Sequence, residues 1–307
     1  MRTVTVQPWR NALLRIRPSR SNGRLHALIA ACAALGTVWL AACNAGASPS
    51  RGSSYMYWTA NGQKLMWAPL FGSSRGRVFI TGTTAPLGML TTSARYVYWS
   101  NGPAIGRADL DGTNVHRRFI TGVHHPSGVV VNSKYIYWAN NASGTPFPST
   151  IGRATLDGAN IDQNFITGAD HPDKVVVNST HIYWANDYSI GRANLNGTGV
   201  NQRFITGTNV PSGLALTSRY IYWTNEYGNT IGRANLNGSH VTQNFIPGAH
   251  ASGPDGLAIA GGYLYWANWG SGTIGRARLN GTDVDPHFRS IYGRPTGLAI
   301  YSPPPTR

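Results

Sequence analysis

The chain of 307 residues is poor in cysteine and in charged side chains. Its only cysteines are Cys32 and Cys43, and 12% of its residues are charged. Because both cysteines lie near the N-terminus, the rest of the chain cannot rely on disulfides for stability. The sequence also lacks a Gly/Ser linker and a long charged tail. Its length alone would allow one large or two medium domains, and the repeats described below favour one.

Local catalytic motifs are missing as well. The sequence contains no G-x-S-x-G, no P-loop and no paired-carboxylate motif. It has neither an H-x-x-H nor a His-x-Glu pair, and Glu226 is its single glutamate. We therefore predict no catalytic residue and no cofactor.

The N-terminal segment has the composition of an export signal. Residues 1–24 carry six arginines and no acid, and an apolar run of 18 residues follows from Leu25 to Ala42. It ends in Leu40-Ala41-Ala42-Cys43, which resembles the bacterial lipobox, whose cysteine is lipidated and becomes the first mature residue. A similar sequence ends at Cys32, but it would leave a very short apolar core. The alternative is an uncleaved anchor, although a helix needs about 20 apolar residues to span a bilayer.

These features predict four segments. They are a signal peptide over residues 1–42, a flexible tether over 43–54, a folded domain over 55–300 and a tail over 301–307. The mature protein would be a monomeric, membrane-anchored lipoprotein of the bacterial cell envelope, lipidated on Cys43.

Removal of the signal lowers the basic charge without abolishing it. The whole chain has a net charge of +15, and loss of six arginines leaves 20 basic and 11 acidic groups, or +9. A basic surface favours anionic partners such as lipid headgroups or acidic cell-wall polymers. The arginines are spread along the chain and do not cluster, so we predict no binding of nucleic acid.

A Tyr-Trp pair recurs six times, at steps of 39 to 46 residues. This period is typical of β-propellers with four strands in each repeat. Each repeat has a Pro-x-Gly-aliphatic run, a segment like YIYWAN, a segment like TIGRANL and a segment that ends in Phe-Ile. Asn-Gly or Asp-Gly, which suit a tight hairpin, precede the fourth segment in five repeats. Segments such as Tyr135–Trp138 are apolar on both faces, as expected for a blade packed between two others.

The repeat, YWTN followed by TIGRANLNGS and P-x-G-L-A, resembles the low-density lipoprotein receptor class B repeat, the YWTD family. The resemblance covers residues 55–300. It implies an all-β, six-bladed propeller with four antiparallel strands per blade, and protein binding in place of catalysis. The Asp of YWTD is replaced by an amide, as at Asn140, Asn186, Asn225 and Asn268. An amide can still bridge backbone groups without adding charge.

The register of the chain ends predicts how the ring closes. The folded segment opens with a second strand, Tyr55–Thr59, and ends with a first strand, Pro295–Ile300. If these two strands pair, all six blades are complete and no sheet edge is left exposed.

Candidate ligand-binding residues lie in the loops that differ between repeats. The loops that enter each first strand share a face with those that join second and third strands, and function usually lies on such loops. Lys174 stands where the other five repeats have the glycine of Pro-x-Gly, so it could line the channel. The candidates are His125, His171, Asp173, Lys174, Asp187, Tyr188, Glu226, Tyr227, His250, Asp255 and Trp269.

Each candidate group also has a simpler explanation. The His and Asp residues could bind a metal, but they come from different repeats, and we predict solvated loop residues and no metal site. The loop residues Tyr188, Tyr227 and Trp269 are either a recognition patch or packing over loop backbones. We expect a structural role, stacking on aromatic rings, for the arginine that recurs once per repeat at Arg107, Arg153, Arg192, Arg233 and Arg276.

Together these patterns predict a non-enzymatic binding or scaffold propeller that recognises a protein or an anionic cell-envelope polymer. The alternative is a metal-dependent propeller enzyme of the streptogramin-lyase or lactonase-like kind, because the IGRA segments are also similar to repeats of streptogramin-lyase propellers. That similarity implies a His and Glu group around a metal, and the single glutamate puts it in doubt.

The lipidation hypothesis predicts the mature N-terminus. Mass spectrometry of the purified protein should find Cys43 as the first residue, carrying acyl chains that give firm anchoring when two or more are present. A Cys43→Ala variant should leave the membrane fraction. An unmodified Cys43, or a mature chain that starts elsewhere, would contradict the prediction.

Overall fold

The computed structural model describes residues 53–84, 90–93, 95–142, 146–249 and 253–303. These residues form 24 strands in six antiparallel sheets of four strands. Within this described part of the chain, no helix is long and apolar enough to cross a membrane. The predicted signal peptide, most of the tether and Cys43 lie outside the described residues.

Each sheet is one blade. Blade I contains β24 (Pro295–Tyr301), β1 (Tyr55–Ala60), β2 (Lys64–Pro69) and β3 (Arg77–Ile80), and blade II contains β4 (Leu90–Thr92), β5 (Tyr96–Ser100), β6 (Ala104–Asp109) and β7 (His116–Thr121). Blade III contains β8 (Pro126–Val131), β9 (Tyr135–Asn140), β10 (Thr150–Thr155) and β11 (Asp162–Thr167), and blade IV contains β12 (Val175–Val177), β13 (His181–Ala185), β14 (Ser189–Asn194) and β15 (Asn201–Thr206). Blade V contains β16 (Pro211–Leu216), β17 (Tyr220–Asn225), β18 (Thr230–Asn235) and β19 (Thr242–Ile246), and blade VI contains β20 (Pro254–Ala260), β21 (Tyr263–Asn268), β22 (Thr273–Arg278) and β23 (Asp285–Ser290).

The blades form a closed ring around a central channel. The first strand of each blade contacts the first strands of both neighbouring blades, so that β24, β4, β8, β12, β16 and β20 follow one another around the channel. The predicted six-bladed propeller is confirmed. The predicted closure is confirmed too, because β24 pairs with β1 through Trp58 opposite Leu298 and Met56 opposite Ile300.

Buried tryptophans hold the strands of each blade together. The Trp of each Tyr-Trp pair has no exposed surface, and in five blades it faces a glycine of the third strand. A Cβ atom added to Gly232 would lie 2.1 Å from the Trp223 ring, so only glycine leaves room for the indole. In blade I, Met66 replaces this glycine opposite Trp58, and a Cβ atom on Gly76, in the β2–β3 connection, would collide with that ring.

Polar side chains join each blade to the next. In blade V, the Trp223 indole N–H donates to Oε1 of Gln243 at 3.1 Å, and Nε2 of Gln243 donates to the Thr206 carbonyl at 3.0 Å. The Tyr222 hydroxyl donates to the Leu279 carbonyl of blade VI at 3.0 Å. The glutamine link repeats in blades III and IV, and the sequence analysis did not foresee it.

The recurrent arginines have the structural role that we predicted. The Arg233 guanidinium lies 3.9 Å from the centroid of the Phe245 ring and 4.6 Å from that of Tyr220. The other four arginines stack on the equivalent phenylalanine at 3.8 to 4.2 Å. Such stacking adds a cation–π attraction to the packing of the blade.

The asparagine that replaces the Asp of YWTD bridges two backbone segments. Asn225 Nδ2 donates to the Gln243 carbonyl at 3.0 Å, and Asn225 Oδ1 accepts from the Asn209 N–H at 3.0 Å. Asn186 makes the same pair of bonds in blade IV. An ionised Asp could not donate to the carbonyl, so the amide fixes the loop that enters its own blade.

The closure predicts the effect of C-terminal truncation. Deletion of residues 294–307 removes β24 and with it Leu298, which is 1% exposed and packs with Met56 and Trp58. Loss of one buried Leu alone costs about 2–5 kcal/mol, so we expect the melting temperature to fall by about 10 °C or more. Deletion of residues 304–307, beyond β24, is the matched control. Equal melting temperatures for the two truncations would disprove the closure.

Candidate functional site

The variable loops form one face of the ring, as the sequence predicted. The loops that enter the first strands and the loops that join second and third strands form one surface, which we call the upper face. Backbone hydrogen bonds link the two loop sets, for example from the Asp187 N–H to the Asp170 carbonyl at 3.2 Å and from the Trp269 N–H to the Gly253 carbonyl at 3.3 Å. Ten of the eleven candidates lie within the described residues; His250 does not.

Lys174 changes the inner strand of blade IV. The glycine at this position in other blades touches the next blade: a Cβ atom on Gly213 would lie 2.3 Å from the Asp255 carbonyl oxygen. Blade IV carries a long side chain instead, and its first strand is regular only from Val175, whereas the first strand of blade V starts at Pro211. The Lys174 side chain is 1% exposed, so it lies inside the channel and not on the surface.

The Lys174 ammonium bridges carboxylates from two blades. Its Nζ lies 3.1 Å from Oδ2 of Asp173 and 3.5 Å from Oδ1 of Asp255 in blade VI. Burial lowers the pKa of Lys174, but the carboxylates of Asp173 and Asp255 outweigh it and leave this pKa above its ordinary value. Lys174 is therefore charged, and its ion pairs link blades IV and VI across the inner side of blade V.

The single ammonium of Lys174 interacts electrostatically with three carboxyl groups. Burial, and then the charges of Asp173 and Glu226, raise the pKa of Asp255 to about 7 although Lys174 opposes the shift. Asp255 Oδ1 is buried and accepts no hydrogen bond within the described part of the chain. Burial and the charge of Asp173 also raise the pKa of Glu226. The mouth of the channel thus holds more negative charge than it neutralises.

A cavity of about 460 Å³ opens beside this cluster. Residues of blades V, VI and I line it: Glu226, Tyr227, Asn229, Gly253, Asp255, Trp269 and Thr296. Tyr227 is 72% and Trp269 44% exposed, and the Arg294 guanidinium lies 4.6 Å from the centroid of the Trp269 ring. The cavity therefore combines acidic groups with accessible aromatic rings.

A second cluster lies on blade IV. His171 Nδ1 is 3.3 Å from Oδ1 of Asp170 and 3.2 Å from Oδ2 of Asp187. Burial raises the pKa of Asp187, and the charge of His171 opposes that shift. The ligand atoms of the three residues lie within 4.8 Å of one another, close enough for one metal ion. The neighbouring Tyr188 is 65% exposed.

The structure does not bring all candidates together. The cavity is lined by Asp255, Glu226, Tyr227 and Trp269, and the ion pairs of Lys174 and Asp173 lie beside it. The blade IV cluster contains His171 and Asp187, with Tyr188 next to it. The exposed His125 ring has no hydrogen bond or ion pair recorded with other described residues. Three residues that line the cavity were not among the candidates, namely Asn229, Gly253 and Thr296, and neither was Arg294, which lies over the Trp269 ring. Alignment of the loops blade by blade would have indicated Arg294, which directly precedes a first strand.

Comparison with known proteins supports the family resemblance. The model of the low-density lipoprotein receptor repeat class B matches residues 262–302, and no curated protein sequence matches the chain. Among solved structures, a chain of the nidogen/laminin complex is 18% identical with a TM-score of 0.66; the alignment covers 81% of this chain and 99% of that one. The predicted resemblance to YWTD propellers is confirmed.

Two enzymes share the fold. The streptogramin B lyase structure is 19% identical with a TM-score of 0.56, over 82% of this chain and 89% of that one. The gluconolactonase XC5397 from Xanthomonas campestris is 15% identical with a TM-score of 0.56, over 70% of this chain and 82% of that one. At these identities the likeness concerns the fold and not the activity.

The buried bridge predicts a pH-dependent loss of stability on substitution of Lys174. Lys174→Met leaves the carboxylates of Asp173 and Asp255 without a partner, which costs about 3–5 kcal/mol for a buried pair. Without the ammonium, the folded-state pKa of Asp255 rises further above its unfolded value of about 3.9. The folded state of the variant is therefore most stable below the unfolded-state pKa, and it loses stability as the pH rises through the folded-state pKa of Asp255.

We therefore expect Lys174→Met to lower the free energy of unfolding more at about pH 8 than at about pH 5.5, where protonation relieves the unpaired carboxyls. Urea unfolding at the two pH values measures this difference. Lys134→Met, which removes an exposed lysine, is the control and should have little effect at either pH. A loss for Lys174→Met that does not depend on pH would show that the bridge is not charged as described.

Proposed function

We propose that this chain is a non-enzymatic binding propeller that holds a partner protein on its upper face. The observation that carries the proposal is the cavity beside Lys174, with Tyr227 and Trp269 exposed at its rim. Aromatic residues are enriched at protein interfaces and often supply most of the binding energy. The fold that the chain shares with a component of the nidogen/laminin complex supports the same function.

The contrast between the two ends of the ring also supports the upper face. At the opposite end, five blades keep the same Asn-Gly or Asp-Gly hairpin between third and fourth strands. The upper loops differ from blade to blade in charge and aromatic content. Packing explains repetition, but it does not explain why one blade alone buries a lysine or why exposed rings gather beside the cavity.

We also propose that a lipid on Cys43 anchors the protein to the cell envelope. In the folded domain, β1 starts at Tyr55 and reaches the upper face at Ala60, so the predicted tether joins the ring at the end opposite to the cavity. An anionic envelope polymer, suggested by the net charge of +9 derived from the sequence, would have to bind away from the acidic mouth.

One observation favours an enzyme as the second candidate. Asp170, His171 and Asp187 could hold a metal ion, and two proteins with this fold are named as a lyase and a gluconolactonase. A metal fits this cluster better than the channel, because Lys174 already occupies the space between the channel carboxylates. In this alternative, His171 and the two carboxylates would bind the ion, which would supply Lewis-acid chemistry.

The proposed function predicts that two exposed rings are needed for partner binding. In affinity purification of the tagged protein from native envelopes, replacing Tyr227 and Trp269 together by alanine should reduce partner recovery about tenfold or more. The melting temperature should stay nearly constant because both rings are exposed. Phe71→Ala, which removes a 63% exposed ring on the β2–β3 connection, is the matched control and should retain the partner.

Two outcomes would contradict the binding proposal. Equal partner recovery by the Tyr227/Trp269 variant and the wild type would move the interface away from the cavity. Metal-dependent turnover that is abolished by His171→Ala would support the enzyme instead.

A further inference from the structure

We infer that the cavity binds a cationic side chain, a lysine or arginine presented by the partner protein. The inference deepens the proposed function and rests on it. It follows from the balance of charges at the channel mouth, the aromatic wall of the cavity and the scarcity of lysines and arginines in the upper loops.

The cavity wall carries uncompensated negative charge. Asp173, Asp255 and Glu226 surround a single buried ammonium, that of Lys174. Asp173 and Asp255 both pair with Lys174. Within the described part of the chain, the carboxylate of Glu226 has no hydrogen bond and no ion pair recorded. A second cation entering the cavity would therefore meet a carboxylate without a partner.

The polar atoms of the wall are arranged to receive such a group. Asp255 lines the cavity with a side chain that is 19% exposed, and its Oδ1 lies 3.5 Å from the Lys174 ammonium. Glu226 lines the cavity from blade V and approaches Gly253, since a Cβ atom on Gly253 would lie 3.4 Å from the Glu226 Cγ. The two carboxyl groups thus line one cavity from adjacent blades, and charge-assisted hydrogen bonds to a lysine or arginine are stronger than neutral ones.

The aromatic wall fits the same ligand. Lysine and arginine side chains combine an apolar stem with a charged end, and the charged end is attracted to aromatic faces. Arg294 already places its guanidinium 4.6 Å from the Trp269 centroid, which demonstrates that this ring accepts a cation. Tyr227, which is 72% exposed, offers a second ring at the rim.

The upper loops and the channel mouth carry several acids but few lysines and arginines, although the chain as a whole is basic. Five of the 11 acids in the chain belong to the upper loops or the channel mouth: Asp170, Asp173, Asp187, Glu226 and Asp255. Among the described residues, the lysines and arginines near the cavity are Lys174, which is already paired with Asp173 and Asp255, and Arg294, which lies over the Trp269 ring. An anionic ligand in the cavity would face the carboxyl groups of Glu226 and Asp255, so the electrostatic field favours a cation.

Three blocked tripeptides test the inference: Gly-Lys-Gly, Gly-Arg-Gly and Gly-Glu-Gly, acetylated and amidated at their ends. Binding is followed by NMR through the indole N–H of Trp269, identified by its absence in Trp269→Phe. We expect saturable shifts with the lysine and arginine peptides at millimolar concentrations and none with the glutamate peptide. Free lysine amide, tested in parallel, distinguishes a site for side chains of proteins from one that prefers small amines.

Two charge variants separate the cationic from the anionic interpretation. Glu226→Gln should lower the affinity for the lysine peptide about fivefold or more. Asp157→Asn, on a hairpin at the opposite end of the ring, should leave this affinity unchanged. Arg294→Ala should raise the affinity for the lysine peptide, because it removes a competing cation from the Trp269 ring. Stronger binding of the glutamate peptide, or weaker binding of the lysine peptide to Arg294→Ala, would overturn the inference.

Failure of this inference differs from failure of the proposed function. If the peptides give no shift while the Tyr227/Trp269 variant still loses its envelope partner, the cationic ligand is wrong and the binding function stands. If the lysine peptide binds as expected but partner recovery does not depend on Tyr227 and Trp269, the cavity takes a cation and the proposed protein interface is wrong.

Discussion

The structure depends on the burial of one indole ring in every blade. In blade V, Trp223 has no exposed surface and lies over Gly232, where even a methyl group would collide with the ring. An indole that is fixed in this way also donates its N–H to Gln243, which in turn donates to the Thr206 carbonyl at the end of β15, where the loop that enters blade V begins. A single packing contact thus sets the spacing of two strands and the position of a loop on the upper face.

Once the ring is closed, its symmetry makes departures from the repeat informative. Glycine at the mouth of the channel is required by the close approach of the next blade, as at Gly213. In blade IV, Lys174 replaces this glycine and is buried, and both the close contact and the regular start of the first strand are lost. A buried charge is costly unless it is paired, and here the partners are acids from its own blade and from blade VI. A glycine at this position, as in the other five blades, would have been sufficient for stability.

The cluster around Lys174 connects fold and function. Burial and mutual repulsion raise the pKa of Asp255 and Glu226, which means that the folded ring holds these carboxylates in an unfavourable environment. Groups in such environments are typical of functional sites. In the proposed complex, a cation of the partner would relieve this repulsion, and the adjacent aromatic rings would bury its apolar stem.

The sequence alone determined the repeat, the strand order, the ring closure and the stacking role of Arg233 and its equivalents, because each follows from a short motif that recurs in phase with the fold. It also placed Lys174, Glu226 and Trp269 on one face. Only the tertiary structure decided that Lys174 is buried and paired with Asp255, 81 residues away in the chain, and that Arg294 lies on Trp269. Contacts between blades depend on the curvature of the closed ring and on side-chain reach, and neither is encoded in the spacing of residues within a single repeat.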